Sequence, residues 1–243
     1  MMRSIILFVR IAPLLFILSG CGLIDYFYLP VPEDTAQELW EAGSEAMREK
    51  DYYEAAEYFS KLIDRYPFSP YTVKAELGMG DAYFLNEDYV EAVDAYMEFE
   101  SLHPRHAEIP YVLYQIGVAG FNSFTTIDRP QHTVAEGLQY LYRLKEVYPE
   151  SEYAKSADEY IVKCRDILAK RELFVADFYW RTEQYGGAWK RYQFVVENFP
   201  DLPEIHEYAL RQSELAYLRY QEDKSQKIRD KEEGTWTDYF EWL

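Results

Sequence analysis

Four times along the chain a run of mixed apolar and charged residues stops at a ring followed by proline: Tyr66-Pro67, His103-Pro104, Tyr148-Pro149 and Phe199-Pro200. Proline has no N–H to donate and clashes with the preceding turn, so each pair ends a helix. Before Pro67 lie Gly43, Ala46, Ala55 and Phe59; at the same offsets before Pro104 lie Gly80, Tyr83, Ala92 and Tyr96, and before Pro200 lie Ala176, Tyr179, Ala188 and Tyr192. One helical phrase therefore recurs. A single copy cannot bury its own apolar face, so such a chain folds by stacking copies into one continuous body.

The phrase resembles the tetratricopeptide repeat, in which small residues let two antiparallel helices cross closely and aromatic side chains fill the space beside them. The fold class is all-α, a tetratricopeptide-like solenoid of about five helix pairs over residues 35–228, with an N-terminal half at 35–148 and a C-terminal half at 149–228. Glu49-Lys50-Asp51-Tyr52 and Asn86-Glu87-Asp88-Tyr89 read as turns inside pairs. The proline intervals are 37, 45 and 51 residues, so the later copies carry insertions. One is Ser123 to Thr133, a loop within the third pair. The other lies in Tyr153 to Glu183, which lacks Pro and Gly and predicts one long helix or two abutting ones. A last helix is expected from Pro203 to Ile228.

Residues 1–20 differ from the rest. Arg3 and Arg10 are their only charges and Ile11 to Leu18 is apolar around Pro13, the pattern of a secretory signal too short to span a bilayer. Leu18-Ser19-Gly20-Cys21 resembles a bacterial lipobox. That resemblance implies that Cys21 is acylated, and that with Gly22 in place of Asp the product travels to the outer membrane and faces the periplasm. Two or three acyl chains hold a protein firmly where one does not. Residues 21–34, with Pro30 and Pro32, read as a tether. Residues 229–243 form an acidic, aromatic tail in which Trp236, Tyr239, Phe240, Trp242 and Leu243 suggest docking on the solenoid or on a partner.

The net charge of −18 becomes −20 once Arg3 and Arg10 leave with the signal, which excludes nucleic acid as a general partner. Catalytic signatures are missing: the sequence has no Gly-rich phosphate loop, no Gly-x-Ser-x-Gly elbow and no His-Glu-x-x-His. His103, His106, His132 and His206 all adjoin turns without metal-ligand company, and Pro104 breaks the helix that would align the first two. Cys164 sits in a helical run with Tyr160, Ile161 and Leu168 and reads as a buried, inert thiol. The chain is expected to be a binding protein and no enzyme, with no cofactor or metal beyond the lipid on Cys21. Pro67 and Pro70 rigidify Tyr66, Phe68 and Tyr71, so less entropy is lost when that segment binds a peptide.

Cys21, the run Arg65 to Tyr71, His103-Pro104-Arg105-His106 followed by Tyr111-Val112-Leu113-Tyr114, Asp128-Arg129-Pro130-Gln131-His132, Tyr148-Pro149-Glu150-Ser151-Glu152-Tyr153 and Ala176-Asp177-Phe178-Tyr179 occur in order. Together they resemble the BamD family, lipoproteins of the outer-membrane β-barrel assembly machine. The resemblance covers about residues 21–215 and weakens in the tail. It implies a scaffold that recognises unfolded outer-membrane proteins and docks on the POTRA region of the barrel subunit BamA, with further assembly lipoproteins as additional partners. It places the substrate-peptide groove around Tyr66, Phe68, Tyr71, Tyr83 and Phe84, and the BamA contact at Arg191. Another tetratricopeptide lipoprotein, such as a secretin pilotin or a cell-wall coordination factor, would share the anchor and repeats and lack the insertion loop.

Overall fold

A computed structural model describes residues 34–233. Among them nine α-helices follow one another: α1 (Ala36–Glu49), α2 (Tyr52–Arg65), α3 (Thr72–Leu85), α4 (Tyr89–Leu102), α5 (Ile109–Asn122), α6 (His132–Val147), α7 (Glu152–Arg181), α8 (Tyr185–Asn198) and α9 (Pro203–Glu233). Each packs on the next, giving the all-α stack of four pairs and a ninth helix. The signal, Cys21, the tether to residue 33 and the tail from Gly234 lie outside the described residues. Among the described residues no helix is long and apolar enough to cross a membrane.

Local chemistry sets the helix ends. Thr35 and Glu38 form a reciprocal capping box before α1: Thr35 N–H donates to Glu38 Oε2 at 2.7 Å and Glu38 N–H to Thr35 Oγ1 at 3.3 Å. Asp51 and Ser151 cap α2 and α7 through their side-chain oxygens. The turns inside three pairs share one device, a left-handed residue: Lys50 (φ 65°), Glu87 (φ 66°) and Glu183 (φ 60°). All three are non-glycine residues in a region that side chains disfavour, so the tight return between helices carries a steric cost.

Two of the recurring small residues do what their offsets predict: a Cβ placed on Gly43 would meet Phe59 Cε1 at 2.6 Å and one on Gly80 would meet Tyr96 at 2.7 Å. Gly117, which the offsets do not mark, plays the same part in the third pair, where a Cβ would meet Leu141 Cδ2 at 2.2 Å. In the first three pairs a large buried side chain of the second helix, Phe59, Tyr96 or Leu141, packs against a glycine of the first. The structure makes Tyr153 to Glu183 one helix, α7, whose first half packs on α5 and α6 and whose second half pairs with α8. The last helix, expected over roughly Pro203 to Ile228, continues through Glu233, the last described residue. Cys164 is fully buried, and burial pushes its thiol up to about 12, which keeps it protonated and unreactive.

Candidate binding surfaces

The Tyr66–Tyr71 turn joins α2 to α3 and is pinned from several sides. Tyr66 N–H donates to Leu62 O at 2.9 Å, and Thr72 Oγ1 donates to Tyr66 O at 2.6 Å. The Tyr66 hydroxyl donates to Asp34 O at 2.7 Å, and the Tyr71 ring stacks on Trp40 of α1 at 6.2 Å and 17°. Tyr66 and Tyr71 are thus packing residues. Phe68 is 100% exposed. An unburied phenylalanine forgoes about 1.5–3 kcal/mol of hydrophobic stabilisation, which a partner covering it would recover.

Tyr83 and Phe84 lie near the far end of the same helix, about 20 Å from Tyr71 at 1.5 Å rise per residue. Tyr83 joins Tyr53, Ala56, Glu57, Ser60 and Lys61 of α2 around an open cavity of about 330 Å³. Burial raises its hydroxyl above the usual range, with Glu91 and Asp88 adding to the effect, so it stays a neutral donor. Phe84 meets Tyr89 edge-on at 5.6 Å. The five residues are not brought into one groove: Tyr66, Phe68 and Tyr71 lie in the turn before α3, while Tyr83 at the cavity and Phe84 against Tyr89 lie near its far end. Tyr53, 63% exposed at the cavity, belongs with Tyr83 and was not singled out from the sequence because it shares a run with other tyrosines.

Arg191 lies on the exposed side of α8. Its Nη1 donates to Glu172 Oε2 of α7 at 2.6 Å, which engages one of five guanidinium N–H groups on a side chain that is 45% exposed. Lys190 is exposed beside it. Gly186 and Gly187 start α8 where bulk is excluded: a Cβ on Gly186 would meet Tyr220 at 3.0 Å, and one on Gly187 would meet Tyr179 at 3.3 Å. Trp189 stacks on Tyr220 at 6.0 Å and tilts against Tyr217 at 5.0 Å, so α8 is held firmly on α9.

Two polar clasps repeat across the halves. Tyr96 and Tyr111 both donate to Asp81 Oδ1 at 2.7 Å, and Tyr192 and Tyr208 both donate to Asp177 Oδ1 at 2.5 and 3.0 Å. Each aspartate ties its own pair to the first helix of the next. Burial raises the Asp81 carboxyl above the usual carboxylate range against the pull of its two tyrosines, and burial likewise raises Tyr96 and Tyr111. With Oδ1 of each aspartate shared by two phenols, these carboxyls serve packing. A further clamp was not legible: Arg165 of α7 forks onto Asp201, donating Nε to Oδ2 at 2.7 Å, and also donates to Asn198 O at 2.8 Å. Arg165 holds the Asp201 carboxyl below its usual range. Among the described residues no three His, Cys, Asp or Glu side chains converge as metal ligands.

A run of close-packed helix pairs, clasped between repeats and carrying exposed aromatic and arginine side chains, defines a tetratricopeptide-like helical-repeat protein. Residues 32–232 match the model of the YfiO family, described as outer membrane lipoprotein, and the chain belongs to that family. It is 26% identical to the outer membrane protein assembly factor BamD of Neisseria meningitidis serogroup A over 90% of this chain and 85% of that protein. Against BamD of Neisseria gonorrhoeae it is 26% identical over 94% and 88%. Against BamD of Vibrio cholerae it is 27% identical over 79% and 82%.

Proposed function

We propose that this chain is a non-enzymatic scaffold of outer-membrane β-barrel assembly, held at the outer membrane through lipid on Cys21 and facing the periplasm. Its N-terminal repeats hold aromatic segments of unfolded outer-membrane proteins, and its C-terminal repeats dock on the POTRA region of a BamA-like barrel protein. The observation that carries this reading is the family match across nearly the whole helical stack, residues 32–232, joined to the assembly-factor names of the relatives. Phe68 and the Tyr53–Tyr83 cavity support the substrate role, since exposed rings on a rigid frame desolvate an apolar peptide at low entropic cost. Arg191 supports the docking role, since its free N–H groups suit a two-pronged bond to a partner carboxylate.

Depletion of the protein in its native host tests the function. Outer-membrane β-barrel proteins should fall several-fold and unfolded forms should accumulate in the periplasm. Unchanged barrel levels would overturn the assignment.

A further inference from the structure

Along the seam between α5 and α7 the chain builds one arrangement of rings and acids at two levels. Tyr114 and Phe121 of α5 are seven residues apart, and so are Glu152-Tyr153 and Glu159-Tyr160 of α7. Seven residues make about two helical turns, so each set keeps to one face of its helix. The rings pair across the seam at both levels, Tyr114 with Tyr153 at 5.7 Å and Phe121 with Tyr160 at 5.6 Å. Tyr114 also meets Tyr160 edge-on at 5.8 Å, which joins the levels. All four rings are only partly buried. At the second level the chain supplies a cation of its own. Lys163 Nζ lies 4.9 Å from the centre of the Tyr160 ring and 5.6 Å from that of Phe121, and it donates to Glu159 Oε1 at 2.5 Å. Two ring faces and one carboxylate thus share an ammonium.

At the first level the place of Lys163 is taken by Ser156, whose hydroxyl donates back to Glu152 O at 3.3 Å. Lys155 does not replace it, since it lies beside Lys145, Pro149 and Asp158 on the side of α6. A second acid stands there instead. Glu108 is the N-cap residue of α5, and its side chain makes no bond to that helix. Burial first, then Glu152 and Glu108, raise the Tyr153 hydroxyl above its usual range, so both acids act at this ring. Both carboxylates are exposed, and neither forms an ion pair among the described residues. The rings are held in place from behind: Tyr111 meets Tyr153 at 5.6 Å and is itself fixed by its bond to Asp81. The first level therefore repeats the rings and the acid of the second, adds a carboxylate, and carries serine where the second carries its cation.

We propose that Tyr114, Tyr153, Glu108 and Glu152 form a docking site for an arginine side chain on an extended segment of a partner protein. A planar guanidinium can lie on a ring and still donate to two carboxylates, which the compact ammonium of lysine does less well. The site is separate from Phe68, from the Tyr53–Tyr83 cavity and from Arg191, and it does not depend on the roles given to them.

The test titrates the full lipidated chain in detergent at low salt into a fluorescein-labelled peptide of threonine and valine with one central arginine, read by fluorescence anisotropy. Saturable binding is expected. Citrulline in place of the arginine, which keeps the shape and removes the charge, should weaken it about tenfold. Ser156→Lys is an exposed change that rebuilds the Lys163 arrangement at the first level, so it should also weaken binding about tenfold, and Glu108→Gln about fivefold. An acidic body attracts any cationic peptide, and the remote Glu232→Gln measures that background; it should change binding less than about twofold. No saturable binding, equal binding of the citrulline peptide, indifference to Ser156→Lys, or a loss with Glu232→Gln as large as with Ser156→Lys would each overturn the proposal.

Discussion

Replacing Asp81 separates what its shape contributes from what its charge contributes. Both Tyr96 and Tyr111 donate to the same oxygen, Oδ1, at 2.7 Å, and Gln115 Nε2 donates to the Tyr111 hydroxyl at 3.1 Å. Asp81→Ala strands the hydroxyl of Tyr96, a fully buried residue, together with that of half-buried Tyr111. Hydrogen bonds to a charged acceptor contribute about 1.5–3 kcal/mol each, and part of that loss is offset because a poorly solvated carboxylate is removed with them. The net expectation is about 2–4 kcal/mol of destabilisation, from these same two bonds and the desolvation that opposes them. Asp81→Asn keeps an acceptor at Oδ1, so it should stay within about 1 kcal/mol of the parent. The pH dependence has a fixed sign. Burial raises the Asp81 carboxyl, so the fold binds that proton more tightly than the unfolded chain does. Such a group supports the fold at low pH and withdraws that support as pH rises through the raised range. The parent should therefore gain on Asp81→Asn as pH falls from neutral toward the carboxylate range. Urea unfolding followed by helical circular dichroism at several pH values measures both effects. Asn as damaging as Ala, or a gap that widens against the parent on acidification, would refute the reasoning.

Gly117→Ala should cost about 1–3 kcal/mol despite the better helix propensity of alanine, because the new Cβ overlaps buried Leu141; a urea midpoint unchanged from the parent would contradict this. Phe68→Ser should leave the unfolding midpoint unchanged while lowering photocrosslinking of an aromatic, extended outer-membrane-protein peptide, whereas Tyr71→Ser should also lower the midpoint by loosening the Trp40 stack. Cys164 should react with a thiol reagent only after denaturation, as a colorimetric thiol assay in native buffer and in guanidinium will show. Arg191→Glu places a carboxylate against Glu172 at an exposed site, so it should cost no more than about 1 kcal/mol. Its recovery of a POTRA-bearing partner in pull-downs should fall at least tenfold.

The repeat was legible because its physics is local. Proline stops and small-residue offsets mark where helices end and where their backbones touch: Gly43 and Gly80 lie against Phe59 and Tyr96 of their partner helices, and Ala176 shares a buried cluster with Tyr192. The two clasps were half legible. Gly80-Asp81-Ala82-Tyr83 and Ala176-Asp177-Phe178-Tyr179 stand at matching repeat positions, yet choosing Tyr96 and Tyr111 among 24 tyrosines requires knowing which rings the stack brings inward. The aromatic turn shows a sharper limit. Tyr66, Phe68 and Tyr71 look alike in sequence, but the path set by Pro67 and Pro70 turns two of them onto Asp34 and Trp40 and leaves Phe68 in solvent. Tyr83 and Phe84 lie near the far end of the helix that Tyr71 caps, and its length separates them from the turn. Arg165 and Asp201 are distant in sequence and meet because α7 runs on past α6 to reach the end of α8.

The most direct measurement is capture of the tagged, lipidated protein from detergent-solubilised envelopes of its native host, with partners identified and quantified by mass spectrometry. The account predicts a POTRA-bearing barrel protein in near-equal amount. Recovery of a secretin or of cell-wall enzymes without any such barrel protein would contradict it.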